Sequence, residues 1–127
     1  MNREIRFRVW SFDTERFEKD LDLYLGLNGF VYERFLGNGC SEIALFKAAE
    51  VNQYSGLKDS KNKEIYEGDI IKAKIGAIDF ILKIEFEHGK FMAVGDDDLT
   101  AFDLFTITDK CEVIGNIYEN KDFGLNE

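Results

Sequence analysis

The feature that most constrains the fold of this chain is an alternation of apolar and polar residues between positions 78 and 86, broken only by the apolar Ile81. A period of two residues is that of a β-strand, because successive side chains of a strand point to opposite faces. The segment therefore predicts a strand with one face buried. The alternating apolar residues are Ile78, Phe80, Leu82, Ile84 and Phe86.

Turn signals on both sides of this segment predict further strands. Glu67-Gly68-Asp69 is expected to turn the chain into a strand over residues 70–75, because Gly allows a sharp bend and an Asp side chain accepts nearby backbone N–H groups. His88-Gly89 predicts a two-residue hairpin turn before a returning strand over residues 90–94. Residues 95–98 are expected to form an exposed loop, followed by short strands over 105–108 and 111–118.

The first half is less uniform. Residues 5–10 alternate and predict a half-buried strand, with Ile5, Phe7 and Val9 on one face. Residues 21–27 and 30–36 predict a hairpin with a type I′ turn at Asn28-Gly29, although a helical spacing of apolar residues over 17–25 offers a rival interpretation. Residues 11–20 fit a turn or a short helix, and residues 41–51 fit either a helix capped by Ser41 or a strand.

Together these elements predict an α+β chain that is mainly β. Residues 1–52 are expected to form a small β-rich (α+β) subdomain, and residues 53–127 an SH3-like, partly open β-barrel. Short strands joined by tight turns favour such a barrel, and a Gly-Asp turn leading into a strand is common where SH3-like barrels begin. The turn-rich residues 54–62 are interpreted as the junction between the two halves.

Composition bounds the function. The 127 residues are 45% hydrophobic, which is enough for a packed core and fits one domain or two very small ones. The net charge of −9 argues against a general nucleic-acid binder and against docking on anionic lipid, since both depend on positive charge.

The two cysteines, Cys40 and Cys111, leave two interpretations open. A single disulfide is one, and a pair of reduced, inert thiols in a cytosolic protein is the other and the one favoured here, because the cysteines form no framework. Charged residues near Met1 do not fit a signal peptide, and no segment reaches the ~20 apolar residues of a membrane helix. A cytoplasmic location in a bacterial host is therefore expected.

Three segments resemble the YopX family of phage and prophage proteins. They are residues 3–10 (REIRFRVW), residues 53–59 (QYSGLKD) continued through 63–71 (KEIYEGDII), and residues 113–120 (VIGNIYEN). The chain departs from the family pattern at Ser55, Asn62 and Lys121, where the family usually has Thr, Gly and Pro. Asn62 is expected to keep its turn, because Asn tolerates left-handed backbone geometry better than most residues.

The resemblance implies a phage or prophage accessory protein of mainly β or α+β architecture. It also implies assembly into ring-like homo-oligomers, and it brings no enzymatic activity, cofactor or metal with it. A host or phage protein is expected as a second kind of partner. Nucleic acid and membranes are not expected as partners.

Seven residues form the candidate interaction surface. Arg6, Arg8 and Trp10 lie on alternating positions of one strand, where interleaved Arg and aromatic side chains can stack on bases. The other four, which belong to the family-like segments, also suit turns and strand ends, and the structural role is favoured for them. These four residues are Asp59, Glu67, Asp69 and Asn116.

No pattern of residues predicts catalysis. The single histidine, His88, is interpreted as a turn residue, and residues 96–98 (DDD) as a solvated acidic loop, since they lack the spacing of a calcium loop. A non-catalytic, self-associating or protein-binding module is the main hypothesis. The alternatives are an acidic decoy of host DNA-binding proteins, a single-stranded nucleic-acid binder using Arg6, Arg8 and Trp10, and an enzyme, the weakest reading.

Overall fold

A computed structural model describes residues 4–18, 23–37, 40–45, 49–97 and 99–120 of the chain. These residues are mostly strand, and one sheet curls into a half barrel, which confirms the mainly β part of the prediction. Two short 3-10 helices span Leu104–Thr106 and Thr108–Lys110. The strands are β1 (Phe7–Ser11), β2 (Arg16–Glu18), β3 (Leu23–Leu25), β4 (Val31–Gly37), β5 (Cys40–Leu45), β6 (Ala49–Lys58), β7 (Glu64–Tyr66), β8 (Asp69–Ile75), β9 (Ile78–Glu87), β10 (Lys90–Val94), β11 (Ala101–Asp103) and β12 (Cys111–Asn116).

The chain divides into two compact units. The smaller unit is Phe7–Asn52, and the larger unit combines Met1–Arg6 with Gln53–Glu127. Strand β6 begins in the smaller unit and ends in the larger one. The first six residues therefore group with the second half of the chain. The expected division into two subdomains, residues 1–52 and 53–127, stays a prediction.

The smaller unit contains two sets of antiparallel strands. Strand β1 lies between β2 and β6, and β4 lies between β3 and β5. The β3–β4 hairpin confirms the strand interpretation of this region. Its turn differs from the expected type I′. The N–H of Gly29 donates to the Gly26 carbonyl and Gly29 takes φ +85°, so that residues 27–29 form a three-residue loop ending in a left-handed glycine.

The larger unit is built on a five-stranded antiparallel sheet with the order β11-β10-β9-β8-β12. The long strand β9 is at its centre, paired with β8 over six residues and with β10 over five. His88 and Gly89 both have positive φ, as a type I′ turn requires, which confirms the two-residue turn predicted between β9 and β10. Separately, β7 pairs with the end of β6.

The core of the larger unit lies on one face of this sheet. Leu82 and Ile84 on β9 are completely buried, as their alternation predicts, and Ile71 and Ala73 of β8 join them. Each fully buried Leu or Ile side chain contributes roughly 1.5–3 kcal/mol of transfer free energy. The burial does not extend to both ends of β9, because Ile78 and Phe86 are more than half exposed.

Several sequence predictions were wrong in detail. Residues 105–108 were expected to form a strand, but 3-10 helices occupy this region, because Asp103 caps the first of them by accepting the N–H of Phe105. For residues 41–51, where helix and strand were both left open, the structure has strand at residues 41–45 and 49–51. Strand β6 runs through residues 54–58, so that only residues 59–62 of the expected junction lie in a turn.

The facing of β1 was also predicted wrongly. Ile5 and Phe7 were expected on the buried face, but both are exposed, whereas Trp10 and Ser11 are buried. The period of two identifies a strand without deciding which face is covered, and here the large Trp10 ring packs edge-on against Phe17 of β2, with ring centroids 5.0 Å apart.

A buried carboxylate, that of Asp59, organises the turn between β6 and β7. Its Oδ1 accepts the N–H groups of Lys61 and Lys63, and its Oδ2 accepts the buried N–H of Val113 from β12. Asn62, within this turn, takes φ +67°, which confirms the left-handed geometry expected for it. One side chain thus ties a local turn to a strand 54 residues away.

Cys111 lies in the core of the larger unit as a free thiol. Burial, and to a smaller extent the nearby carboxylates of Asp59 and Asp109, raise the pKa of this thiol to about 11. The side chain of Cys40 lies outside the described part of the chain. Within that same part, no helix is long and apolar enough to cross a bilayer.

Asp59→Ala is expected to lower the free energy of unfolding by about 3 kcal/mol, because water can reach the N–H groups of Lys61 and Lys63 but not that of Val113. Asp59→Asn, which keeps one acceptor oxygen, should fall between this variant and the parent. Urea denaturation measures both, with the exposed Asp96→Ala as control. A loss under about 0.5 kcal/mol for Asp59→Ala, the range of ordinary surface changes, would contradict this role.

Cys111 is expected to resist thiol reagents in the folded protein, because the reactive thiolate is suppressed by its raised pKa and the sulfur is buried. In a Cys40→Ser background, Ellman's reagent at pH 8 should detect no thiol in the native protein and one after unfolding in guanidinium chloride. Rapid labelling of the native variant would refute the burial of this thiol.

Candidate functional site

Arg6, the first of the residues singled out in the sequence, lies in the larger unit. Its guanidinium pairs with the carboxylates of Glu4 and Glu64 and lies over the ring of Tyr54, 4.7 Å from the centroid. Its carbonyl accepts the N–H of Tyr54. Arg6 therefore holds the segment before β1 against β6, and its charge is balanced by two acidic neighbours.

Arg8 and Trp10 lie in the smaller unit. The guanidinium of Arg8 stacks on the ring of Phe17 at 4.3 Å, and its Nε donates to Oδ1 of Asn52. Trp10 is only 5% exposed. A base cannot stack on a ring that is already covered, so these residues do not present the aromatic platform that the nucleic-acid hypothesis needs.

The four candidates from the family-like segments have structural contacts. Asp59 organises the β6–β7 turn, and Asp69, which is also buried, accepts the N–H of Tyr66. Asn116 caps the turn after β12, because its Oδ1 accepts the N–H groups of Tyr118 and Glu119. All three side chains are buried, so that none of them presents an exposed contact surface.

Glu67 is the exception, because it leads to a surface feature. Its backbone N–H donates to the carbonyl of Gln53, and its Oε1 accepts the N–H of the same residue. These two bonds fix Gln53 at the point where β6 enters the larger unit. Gln53 is part of the wall of an open cavity of about 400 Å³ on that unit.

We call this cavity the aromatic groove. Its apolar lining consists of Leu57, Phe86, Phe91 and Phe105. Its polar lining consists of Gln53, Ser55, Lys90 and Asp103, with Gly89 beside them. Phe86 is 52% exposed and Phe105 is 73% exposed, so that both rings present apolar surface to any molecule that enters the groove.

The β9–β10 hairpin supplies one wall of the groove. Phe86 and Phe91 are direct cross-strand partners, and their rings meet edge to face at 5.0 Å. Such aromatic pairs stabilise a sheet by up to about 1 kcal/mol beyond simple burial. The tight His88-Gly89 turn fixes the register of this pair, and both rings therefore lie on the same face of the hairpin.

Asp103 positions the second wall. Its Oδ1 accepts the N–H of Phe105 at the start of the first 3-10 helix, and its Oδ2 is 3.3 Å from Nζ of Lys90. The Thr106 hydroxyl donates to the Asp103 carbonyl at 2.7 Å. One residue thus holds the Phe105 backbone and also balances the charge of Lys90 at the rim.

A bulge in β6 forms the third wall. Gly56 has φ +83°, the register shifts between Tyr54 and Lys58, and the Ser55 hydroxyl accepts the N–H of Leu57. Only glycine adopts this backbone conformation readily, because a side chain would be strained there. Gln53, Ser55 and Leu57 are alternate residues of this strand, so that they share one face and together line the groove.

The groove suits apolar recognition. Its two ionisable lining residues, Lys90 and Asp103, pair with each other. The other lining residues carry no carboxylate or imidazole group. Among the described residues, no group of three His, Cys, Asp or Glu side chains is arranged to hold a metal ion. The arrangement offers aromatic surface with a few hydrogen-bonding groups at the rim, as binding pockets in general do.

Sequence reasoning missed the groove. It assigned Phe86 to the covered face of β9 and placed Phe105 in a strand. One signal was present, because Phe86 and Phe91 flank the predicted His88-Gly89 turn symmetrically and so had to be cross-strand neighbours. Nothing local in the sequence indicated that Phe105 and the β6 bulge would meet them.

His88 and Asp97 of the acidic loop stabilise the backbone of a turn and of a loop. His88 occupies the first position of the type I′ turn with φ +52°, as expected of a turn residue. Asp97 accepts the N–H and the hydroxyl of Thr100, and these bonds lower the pKa of Asp97. Asp98 lies outside the described residues.

Comparison with known proteins places this fold. The structure is similar to the crystal structure of protein EF1440 from Enterococcus faecalis, with a TM-score of 0.62 and 21% sequence identity over 95% of this chain and 98% of that one. It is also similar to the crystal structure of yopX from Bacillus subtilis, with a TM-score of 0.63 and 20% identity over 92% of this chain and 95% of that one. At identities this low, the structural similarity shows a shared fold and no more.

Among curated proteins, none matches the chain. The family model described as YopX protein matches residues 6–123, nearly the whole sequence, and overlaps all three segments on which the resemblance was based. With this match and the shared fold of the yopX structure, the chain belongs to the YopX protein family.

Proposed function

We propose that this chain is a non-catalytic protein-binding module, and that the aromatic groove of the larger unit is its binding surface. The observation that carries the proposal is the exposure of two phenylalanine side chains, Phe86 and Phe105, that line one open cavity. Exposed aromatic side chains that line a cavity together with a few polar groups are typical of binding sites.

The lining indicates the chemistry of the partner. Two partly exposed rings and Leu57 favour an apolar or aromatic side chain, and aromatic residues are enriched among the residues that dominate interface energies. Gln53 and Ser55 can bond to a partner's backbone at the rim. Because Lys90 and Asp103 pair with each other, the groove selects a segment without a net charge at the point of entry.

The non-catalytic part of the proposal rests on the same lining. General acid–base catalysis needs a group held near a reacting atom with a suitable pKa, and the titratable residues of the groove form an ordinary exposed ion pair. The rest of the lining consists of aromatic, aliphatic, amide and hydroxyl groups, which support binding rather than chemistry.

The proposal extends to architecture and setting. We take the antiparallel strands of the larger unit, with their two-residue turns, as an SH3-like, partly open barrel. The resemblance to phage and prophage proteins supports a role as an accessory protein in the bacterial cytosol, a compartment in which the free thiol of Cys111 stays reduced.

Photo-cross-linking tests the groove directly. A benzoyl-phenylalanine at position 105, in the chain expressed in bacteria, is expected to form a discrete covalent adduct with a protein upon irradiation. Adding Phe86→Ser should reduce this adduct at least about 10-fold, because it removes one of the two exposed rings of the site.

Two controls make the result specific. Ile78→Ser, an exposed apolar change on the same strand as Phe86, should leave the adduct unchanged, and the photoreactive residue at position 99, a well-exposed loop site of the same unit, should not form the same adduct. Adducts that are equal at positions 99 and 105, or that are indifferent to Phe86→Ser, would show that the groove is not the binding surface.

A further inference from the structure

The β3–β4 hairpin of the smaller unit ends in an unusually apolar tip, residues 26–30. Leu27 is completely exposed and Phe30 is 59% exposed. Tyr24 and Leu25, just before the tip, are also exposed. A single exposed apolar residue needs no explanation, but a cluster at the end of a hairpin marks a contact surface.

This hairpin is also the least charged part of the chain. Residues 23–32 (LYLGLNGFVY) contain no charged residue, although 32% of all residues are charged and ten residues would carry about three. Two copies of a chain with a net charge of −9 repel each other. The electrostatic repulsion between two copies is therefore smallest where both contact surfaces are uncharged.

The aromatic groove is the matching surface. Its two charged residues cancel each other, and the rest of its lining is uncharged. A cavity of roughly 150 Å³ holds one benzene-sized group, and the groove measures about 400 Å³. It therefore has room for two such groups, which is what the Leu27 and Phe30 side chains of the tip present.

The hairpin tip is ordered before it meets any partner. Gly26 donates its N–H to the Phe30 carbonyl, the N–H of Phe30 donates to Oδ1 of Asn28, and Nδ2 of Asn28 donates to the Tyr32 hydroxyl. A tip held by three such bonds loses little conformational entropy on binding, and this preorganisation favours affinity.

We propose that the occupant of the aromatic groove is the hairpin tip of a second copy of this chain. Leu27 and Phe30 of one copy insert between Phe86 and Phe105 of the next. The contact joins two different surfaces, so that each copy keeps one unused tip or groove and can bind a further copy. The inference rests on the proposed function of the groove and names its partner.

Two single variants and their mixture test this arrangement. Leu27→Asp places a charge on the tip, and Phe105→Asp places one in the groove, and both positions are exposed enough for the fold to tolerate the change. Sedimentation velocity should show dimers and larger species for the parent chain. Each variant alone should be monomeric, with the dissociation constant raised at least about 30-fold.

The mixture of the two variants is the decisive sample. The Leu27→Asp chain keeps its groove and the Phe105→Asp chain keeps its tip, so that the equimolar mixture should form dimers of one chain of each type and nothing larger. Circular dichroism of both variants should match that of the parent. Leu99→Asp and Ile78→Asp, changes at comparably exposed apolar positions, should associate as the parent does.

Salt gives an independent readout. Since the contact is uncharged and the copies repel, raising NaCl from about 0.05 to about 0.5 M should tighten association, whereas a contact made by ion pairs would weaken. A monomeric parent chain, a variant that associates like the parent, or a mixture that stays monomeric would overturn the inference. If position 105 then cross-links to a different protein, the proposed function of the groove still stands. If the chain neither self-associates nor cross-links from position 105, the proposed function falls as well.

Discussion

The burial of one face of β9 is the constraint on which the larger unit depends. Leu82 and Ile84 are removed from water between β8 and β10, and together with Ile71 and Ala73 they form the centre of its core. The register of these strands is fixed, because a slip of one residue would move every buried side chain to the solvent face. Both the His88-Gly89 turn and the Phe86–Phe91 pair follow from this register.

A few polar contacts then place the parts that the core does not hold. The carboxylate of Asp59 ties a turn to β12, that of Asp103 holds Phe105 and Lys90, and that of Glu67 holds Gln53. Buried or half-buried carboxylates that accept backbone N–H groups give directed, charge-assisted bonds. The acidic composition of the chain is thus partly structural, and two of these carboxylates build the walls of the aromatic groove.

The two proposed contact surfaces have the same physical origin. A β-hairpin covers its apolar side chains only as far as a neighbouring element reaches, and beyond that point they face solvent. Phe86 and Phe91 lie at the end of the β9–β10 hairpin, and Leu27 and Phe30 at the end of the β3–β4 hairpin. In a chain with a net charge of −9, the β3–β4 tip carries no charged residue and the two charges of the groove pair with each other, so that another protein can approach either surface at little electrostatic cost.

The sequence by itself determined the strands with strong alternation, the His88-Gly89 and Gly68-Asp69 turns, the left-handed Asn62 and the family, because each is set by neighbouring residues or by a local motif. It did not determine which face of β1 is covered, whether Asp103 would start a 3-10 helix, or that Phe105 and the β6 bulge would meet the β9–β10 hairpin. Those outcomes depend on contacts between segments dozens of residues apart, and only the tertiary structure decides such contacts, since alternation specifies two faces of a strand but not the element that covers either of them.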